Sequence, residues 1–262
     1  MTASSPQFIR ALVRTPASNF AEGLTSANLG APDYSLTLEQ FNKYCLALSE
    51  CGLEVVTLPA DDRYPDSTFV EDTAVITDRC VILTRPGAMV RRGEVALIAP
   101  AISELRSEIR QIEFPGTLDG GDICQAGAHF FIGLSERTNQ DGATQLSTHL
   151  AEFGYTSSVV DIRNNDELLH LKSGLTFLGD GRMVICECLK DSESFKAFEL
   201  IQASQSEGYP CNCLAINGRV LVAAGFPGFK QKLDQLGYLT MELEVSEFRK
   251  MDGGLSCLSL RF

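Results

Sequence analysis

Four segments decide the fold: GLEVVTLP (52–59), GYTSSVVDI (154–162), GYPCNCLAI (208–216) and GYLTMELEV (237–245). Each opens on glycine followed by Leu or Tyr and runs on as an extended stretch, and each follows residues with helical spacing. Thr37 is expected to cap the first helix, with Leu38, Phe41, Cys45 and Leu48 on one face, Gln40 completing a capping box and Gly52 as the left-handed stop. Thr138 or Asn139 opens a second helix through Leu146 and Leu150 to Gly154. Asp191 or Ser192 opens another, with Phe195, Phe198 and Ile201 at helical spacing, and Pro227 leads a shorter one to Gly237. A helix around Ala101–Ile109, leading into RQIEFP, fits the series without its glycine.

Between these units lie short apolar runs rich in β-formers, each behind a tight-turn signal: TDRCVILTR, AGAHFFIGL, DGRMVICEC and NGRVLVAAG. A strand, a turn, a second strand and a helix therefore recur about every 40 to 50 residues, which makes roughly five units. The N-terminal FIRALVRT and the C-terminal GLSCLSLRF share the last of them. The expected architecture is α/β: a closed five-bladed ring with helices outside and strands around a central axis. No Pro-, Gly- or Ser-rich linker divides the chain, so residues 1–262 are expected to form one domain.

Composition agrees with such a fold and narrows the function. With 44% apolar and 21% charged residues, 262 positions can bury a sizeable core. The net charge of -12 supplies no positive field to gather phosphate backbone, which argues against nucleic acid as a partner. The N-terminal sequence lacks a signal-peptide apolar region and no run reaches the roughly 18 apolar residues of a membrane span. The cytoplasm is the default location, and the nine scattered cysteines read as reduced thiols. The pairs Cys186/Cys188 and Cys211/Cys213 are expected on one face of a strand, as small core residues rather than a metal site.

One phase of the repeat is unusually polar: PDSTFVEDTAVI (65–76), PGTLDGGDICQ (115–125), LLHLKSGLTFL (168–178), CNCLAIN (211–217) and MDGGLSCLSL (251–260). Asp72, Asp119, His170, Cys213 and Cys257 stand 47, 51, 43 and 44 residues apart, one repeat each, so a closed ring brings all five to the same end of its axis. Taken singly, Cys257 is a core thiol, His170 a structural histidine and LDGGD a turn; their common phase makes them a set. That set contains a nucleophile, a proton shuttle, its orienting acid and anionic ligands for a cation. The acids Asp66, Glu71, Asp72 and Asp119 suit a planar guanidinium, whose N–H forks pair bidentately with carboxylates. Attack on a guanidinium carbon neutralises charge, so no oxyanion hole is needed. His129 and His149 lack such company and read as structural or surface residues.

These residues and the motifs FVEDTAVI, LTRPGAMVRRGE, TLDGGD, GLSERTNQ, LLHLKS, NCLAIN and MDGGLSCLSL resemble the dimethylarginine dimethylaminohydrolase family of the five-bladed pentein, or guanidino-modifying, superfamily. The likeness runs over essentially the whole chain. It implies a pentein fold, Cys257 as nucleophile, His170 as general acid and base, and Asp119 as the partner of that histidine. It implies substrate contacts from Asp66, Glu71 and Asp72, from Arg85 and Arg137 to the substrate carboxylate, from Leu29 in a mobile lid and from the main chain of Met251. The implied reaction turns Nω-methylated arginine into citrulline and an alkylamine through a thiouronium on Cys257, with the cationic substrate itself helping to deprotonate the thiol. No cofactor and no metal are implied, although a free thiol beside a histidine is open to inhibition by zinc.

The partner expected is a small guanidino amino acid, with no nucleic acid and no membrane; a homodimer is compatible with the sequence. The nearest alternatives are an arginine or agmatine deiminase, which would carry a second carboxylate two residues after the histidine, where this chain has Lys172. A hydrolase of N-hydroxy or otherwise modified arginine also fits. A non-catalytic binding protein on the same ring, as in the ribosome anti-association factor, would have no need of Cys257, His170 and Asp119 in one phase.

Overall fold

The computed structural model describes residues 7–103, 105 and 107–262. Its strands form five sheets of three, and every sheet is built alike. A short inner strand pairs antiparallel with a central strand, which then pairs in parallel with the outer strand that returns after the connection. In the first blade these are Ala74–Ile76, Val81–Leu83 and Ile109–Gln111; in the second, Ile123–Ala126, His129–Leu134 and Thr156–Asp161. The third has Leu175–Gly179, Arg182–Ile185 and Glu199–Gln202, and the fourth Leu214–Ile216, Arg219–Ala223 and Leu239–Leu243. The fifth is closed by both ends of the chain. Leu260–Arg261 pairs antiparallel with Arg10–Arg14, which runs parallel to Glu54–Leu58. The expected five-bladed α/β ring is therefore observed, including the blade shared between the termini.

Helices Tyr34–Glu50, Glu94–Ile102, Gln140–Glu152 and Pro227–Gln235 make the return crossings of four blades. The first helix begins earlier than the sequence suggested: Asp33, not Thr37, accepts from the Leu36 N–H, while the buried Thr37 hydroxyl donates to the Asp33 carbonyl. Gln40 makes no capping box but reaches Ser246 and Glu247 in the next segment, and Gly52 does hold a positive φ of 89°. Asn139 caps the helix of the second blade, and Pro227 sits in the first turn of the fourth. The helix expected around Ala101–Ile109 lies instead at Glu94–Ile102; Glu104 and Arg106 are outside the described residues.

The third blade departs most. Phe195, Phe198 and Ile201 do not share a helix: a 3-10 turn at Glu193–Phe195 leads into the strand Glu199–Gln202. Phe195 and Ile201 are buried, and Phe198 stacks edge-on against Phe131 and Phe177, so the apolar period that suggested a helix instead caps one end of a sheet. Consequently GYPCNCLAI begins the fourth blade rather than ending the third, with Tyr209–Cys211 as a 3-10 turn. The two C-x-C pairs lie outside the strands: Cys186 and Cys188 at the 3-10 turn Glu187–Leu189, Cys211 at the end of the turn Tyr209–Cys211 and Cys213 just before the strand Leu214–Ile216. Cys186, Cys211 and Cys213 are buried and Cys188 is exposed. Among the described residues, no helix is long and apolar enough to cross a membrane.

Each inner strand is preceded by a 3-10 turn at the same end of the ring: Val70–Thr73, Gly120–Asp122, Leu171–Ser173, Tyr209–Cys211 and Ser256–Leu258. Four neighbouring pairs of turns pack together, and Asn212, just after the Tyr209–Cys211 turn, bonds Ser256 across the fifth junction. The polar phase seen in the sequence is this inner collar, and it carries the candidate site.

Candidate active site

Cys257, His170, Asp119, Asp72, Asp66, Arg137 and Met251 line one narrow cavity of about 30 Å³ at the collar. Local backbone chemistry explains why they converge. Asp119 immediately precedes the Gly120–Asp122 turn and His170 the Leu171–Ser173 turn, both in extended conformation, so both side chains project from turn starts toward the axis. Gly121 allows the approach: a Cβ there would lie 2.7 Å from His170 Nδ1. Its N–H donates to Asp72 Oδ1 at 2.9 Å, tying two blades together.

His170 Nε2 lies 3.1 Å from Asp119 Oδ2, and the other Asp119 oxygen accepts from the Gly87 N–H at 2.9 Å. Asp122, fully buried behind them, accepts from the Leu171 N–H and from the hydroxyls of Ser135 and Thr138, so it fixes the chain just after the histidine. Burial opposes a charge on His170, but Asp72, Asp122 and Asp119 outweigh it and lift its pKa to about 9. At neutral pH His170 is an imidazolium able to give up a proton. Burial, reinforced by Glu71 and Asp72, pushes the Cys257 thiol up to about 12 against a smaller opposing effect of Lys172. Without a ligand the thiol is neutral. One oxygen each from Asp72 and Asp119 and a ring nitrogen of His170 lie within 4.8 Å of one another, a set with the geometry to hold a cation.

Asp66 forms another wall. Its oxygens accept from the Leu24 N–H, both at 3.1 Å, and burial raises its pKa despite the pull of Arg91 and Arg137. Gly23 is needed for this approach, since a Cβ would stand 2.3 Å from Asp66 Oδ1. Arg91, buried on the 3-10 turn Met89–Arg91, donates to Asp72 Oδ2 at 2.6 Å, to the Phe69 carbonyl and to Glu94.

Three of the expected residues are placed elsewhere. Glu71 is buried at the collar, but its carboxylate turns to the far side of the ring, where it meets Lys172 at 2.6 Å, Arg261 at 3.0 Å and the Ser256 hydroxyl at 2.7 Å. Its charge still bears on Cys257. Arg85 donates to the Gly116 carbonyl and covers the exposed Phe114 ring; Arg91 is the arginine of LTRPGAMVRRGE that reaches the cavity. Leu29 is half exposed on a neighbouring cavity, and Leu24 is the residue of this loop at the site. Asn212, not Cys213, represents the fourth blade in the collar, joining the Lys172 carbonyl to Ser256. No sequence pattern separates Arg91 from Arg85 or Leu24 from Leu29; only the buried acids Glu94 and Asp66, which demand partners, mark the choice. His129 bonds Thr156 and Ser158 on its sheet, and His149 lies on a helix away from the collar.

Comparison with known proteins places this geometry. A family model described as arginine deiminase matches residues 61–209. The dimethylarginine dimethylaminohydrolase of Pseudomonas aeruginosa is 43% identical over 256 residues, covering 97% of this chain and 100% of that protein. The enzyme of the same name from Streptomyces coelicolor is 35% identical over 253 residues, with 96% of each chain covered. A solved structure of the Pseudomonas aeruginosa protein, a mutant complexed with citrulline, superposes with a TM-score of 0.95 at 42% identity, covering 98% of this chain and 100% of that one. The N-terminal domain of the cyanobacterial arginine dihydrolase ArgZ, at 19% identity and a TM-score of 0.86 over 97% of both chains, shares the fold. With likeness over nearly its full length to proteins that share its five-bladed ring, the chain belongs to the dimethylarginine dimethylaminohydrolase family of the pentein superfamily.

Proposed function

We propose that the protein hydrolyses Nω-methylated L-arginine to L-citrulline and methylamine or dimethylamine, with Cys257 as nucleophile, His170 as acid and base, and Asp119 orienting the imidazole. The observation that carries this is the meeting of Cys257, the His170–Asp119 pair and the carboxylates Asp66 and Asp72 in one cavity. The same reading has residues 1–262 work as one catalytic domain in the cytoplasm, with no cofactor or metal.

A substrate guanidinium entering between Asp72 and Asp66 brings a positive charge beside a thiol that burial, reinforced by Glu71 and Asp72, holds protonated. It offsets their field and lowers the Cys257 pKa, so the nucleophile forms when it is needed. Thiolate attack on Cζ gives a neutral tetrahedral adduct. His170, charged below about pH 9, protonates the departing alkylamine, leaving a thiouronium on Cys257. The imidazole, now neutral, takes a proton from water as it attacks; collapse expels the thiol and citrulline. Arg137 and Arg91 supply positive charge for the α-carboxylate, and the main chain of Met251 meets the α-amine. The cavity is narrow and Leu24 forms part of its wall, so an amino acid enters as the loop carrying Leu24 yields. Thr25 and Ser26 anchor that loop to the Lys250 carbonyl and to Asp252.

Lys172 favours an alkylated substrate. Its ammonium is paired with Glu71 on the far side of the collar, and no second carboxylate stands two residues beyond His170 to grip both terminal nitrogens. Citrulline and amine release measured in parallel on dimethylarginine, monomethylarginine, arginine and agmatine tests the assignment. Alkylamine from the methylated substrates is expected; ammonia from arginine or agmatine would make the protein a deiminase and remove the role given to Lys172.

Deprotonation assisted by substrate gives a separate expected result. In the absence of ligand, the ultraviolet thiolate signal of Cys257, taken as the difference between wild type and Cys257→Ala, should rise only as pH approaches about 12. With a saturating, non-hydrolysed guanidinium amino acid the curve should move to lower pH. Coincident curves would reject activation by the substrate charge.

A further inference from the structure

The structure assigns a second function to a pair of thiols that the proposed reaction does not use: we propose that Cys186 and Cys188 form a reversible disulfide beside the turn that carries His170. Their sulfurs already touch, 2.9 Å apart. Reaching a disulfide length requires an approach of only about 0.9 Å. Cys188 is exposed, whereas Cys186 is buried behind it. Both line a cavity of about 570 Å³ that also includes Ser173 and Leu169, and Leu169 belongs to the wall of the catalytic cavity as well. A soluble oxidant therefore has access to Cys188 through the space in front of the site.

The pair is coupled to the catalytic turn through the backbone. The Cys186 N–H donates to the Gly174 carbonyl at 2.8 Å, and Gly174 closes the turn that starts at His170. Glycine is required there, because a Cβ would stand 2.7 Å from Cys186 Sγ. Drawing that sulfur toward Cys188 removes the atom that fills the space against Gly174, four residues after His170. The ring closed by a C-x-C bridge is small, so it constrains little chain, and the exposure of Cys188 makes the bridge readily reduced, as in disulfides that switch rather than staple. Burial, and then the neighbouring Cys188, push the Cys186 thiol up to about 12, which leaves exposed Cys188 as the attacking partner.

The chemistry balances with a low-molecular-weight disulfide as oxidant. The Cys188 thiolate attacks one oxidant sulfur, forming a mixed disulfide and expelling one thiolate. Cys186 then loses its proton and attacks Cys188 Sγ, expelling the second thiolate. Two electrons pass from the pair to the oxidant, whose two sulfurs leave as thiols carrying the two protons lost by the cysteines.

Trypsin releases the pair in one peptide, Met183–Lys190, which contains no other cysteine. Wild-type protein equilibrated with oxidised glutathione, then alkylated and digested, should yield this peptide two hydrogens lighter with neither cysteine alkylated, and dithiothreitol should reverse the change. A peptide with two alkylated cysteines, a glutathione that stays on Cys188, or a cross-link from Cys188 to Cys211 would overturn the assignment. The mass readout is independent of the reaction catalysed; the activity arm rests on the proposed methylarginine hydrolysis. In that arm, oxidised wild type should lose activity several-fold and regain it on reduction, while Cys188→Ser keeps its activity through the same treatment. Equal loss in Cys188→Ser would place the damage at a thiol outside this pair and overturn the switch, and an intact rate in protein shown to carry the bridge would refute the coupling to His170.

Discussion

Cys257→Ser should lower kcat on methylated arginines by ~10⁴-fold or more, as loss of a covalent nucleophile does elsewhere, while binding of citrulline persists. The replacement keeps the shape of a side chain in a tightly packed turn next to buried Ser256 and Leu258, so the fold should survive. What it removes is the proposed nucleophile, a thiol that a nearby cation can ionise; a hydroxyl is far less acidic and stays protonated in the same buried setting beside Glu71 and Asp72, which already resists ionisation of the thiol. Acid quenching should trap a thiouronium adduct on wild type and none on the variant. Turnover within tenfold of wild type would show that the carbon is attacked by water directly, and would leave the cavity without its proposed covalent step.

His170→Gln should reduce kcat by ~10³-fold, within the range of a lost general acid and base, and the two steps should respond differently. An alkylamine must be protonated to leave, whereas the thiolate of an S-alkylthiocitrulline analogue leaves without a proton. The variant should therefore form the adduct quickly from the sulfur analogue and then hold it, because the water step still lacks its base. Equal defects on both substrates in adduct formation would assign His170 to positioning alone.

A thermodynamic signature accompanies it. The folded pKa of about 9 is raised above the ordinary histidine value of 6.5, so the stabilisation by the imidazolium is complete below pH 6.5 and disappears as pH rises through 9. The Tm advantage of wild type over His170→Gln should be largest in the acid part of that window and shrink toward its alkaline end. An advantage that grew with pH would contradict an imidazolium held by Asp72, Asp122 and Asp119.

Much of this site can be read from the chain because its residues occupy one phase of a repeat. The spacing of Asp72, Asp119, His170 and Cys257 is regular, and the ring turns regular spacing into proximity. Glycines such as Gly52, Gly154 and Gly237, each at positive φ, mark the ends of three crossings through a backbone demand that no other residue meets cheaply. The third blade escaped that logic. Phe195, Phe198 and Ile201 have helical spacing, yet Phe195 and Phe198 both pack against Phe131 of the second blade and Phe198 also against Phe177, and packing against those rings outweighs the local period. The choice of Arg91 over Arg85, Leu24 over Leu29 and Asn212 over Cys213 has the same origin. In each case neighbouring residues of equal local suitability compete, and a distant buried group decides.

The sequence by itself thus determined the number of blades, the closure of the last by both termini, and the phase in which polar residues gather, because turns, strand periodicity and glycine conformations are properties of a few adjacent residues. Only the tertiary structure decided which side chain in each phase faces the cavity. It turned Glu71 away to Lys172 and Arg261, drew Arg91 inward to Asp72 and Glu94, and laid Cys186 against Gly174. Those outcomes depend on satisfying buried charges and filling space between segments far apart in the chain, which is settled only when the ring closes.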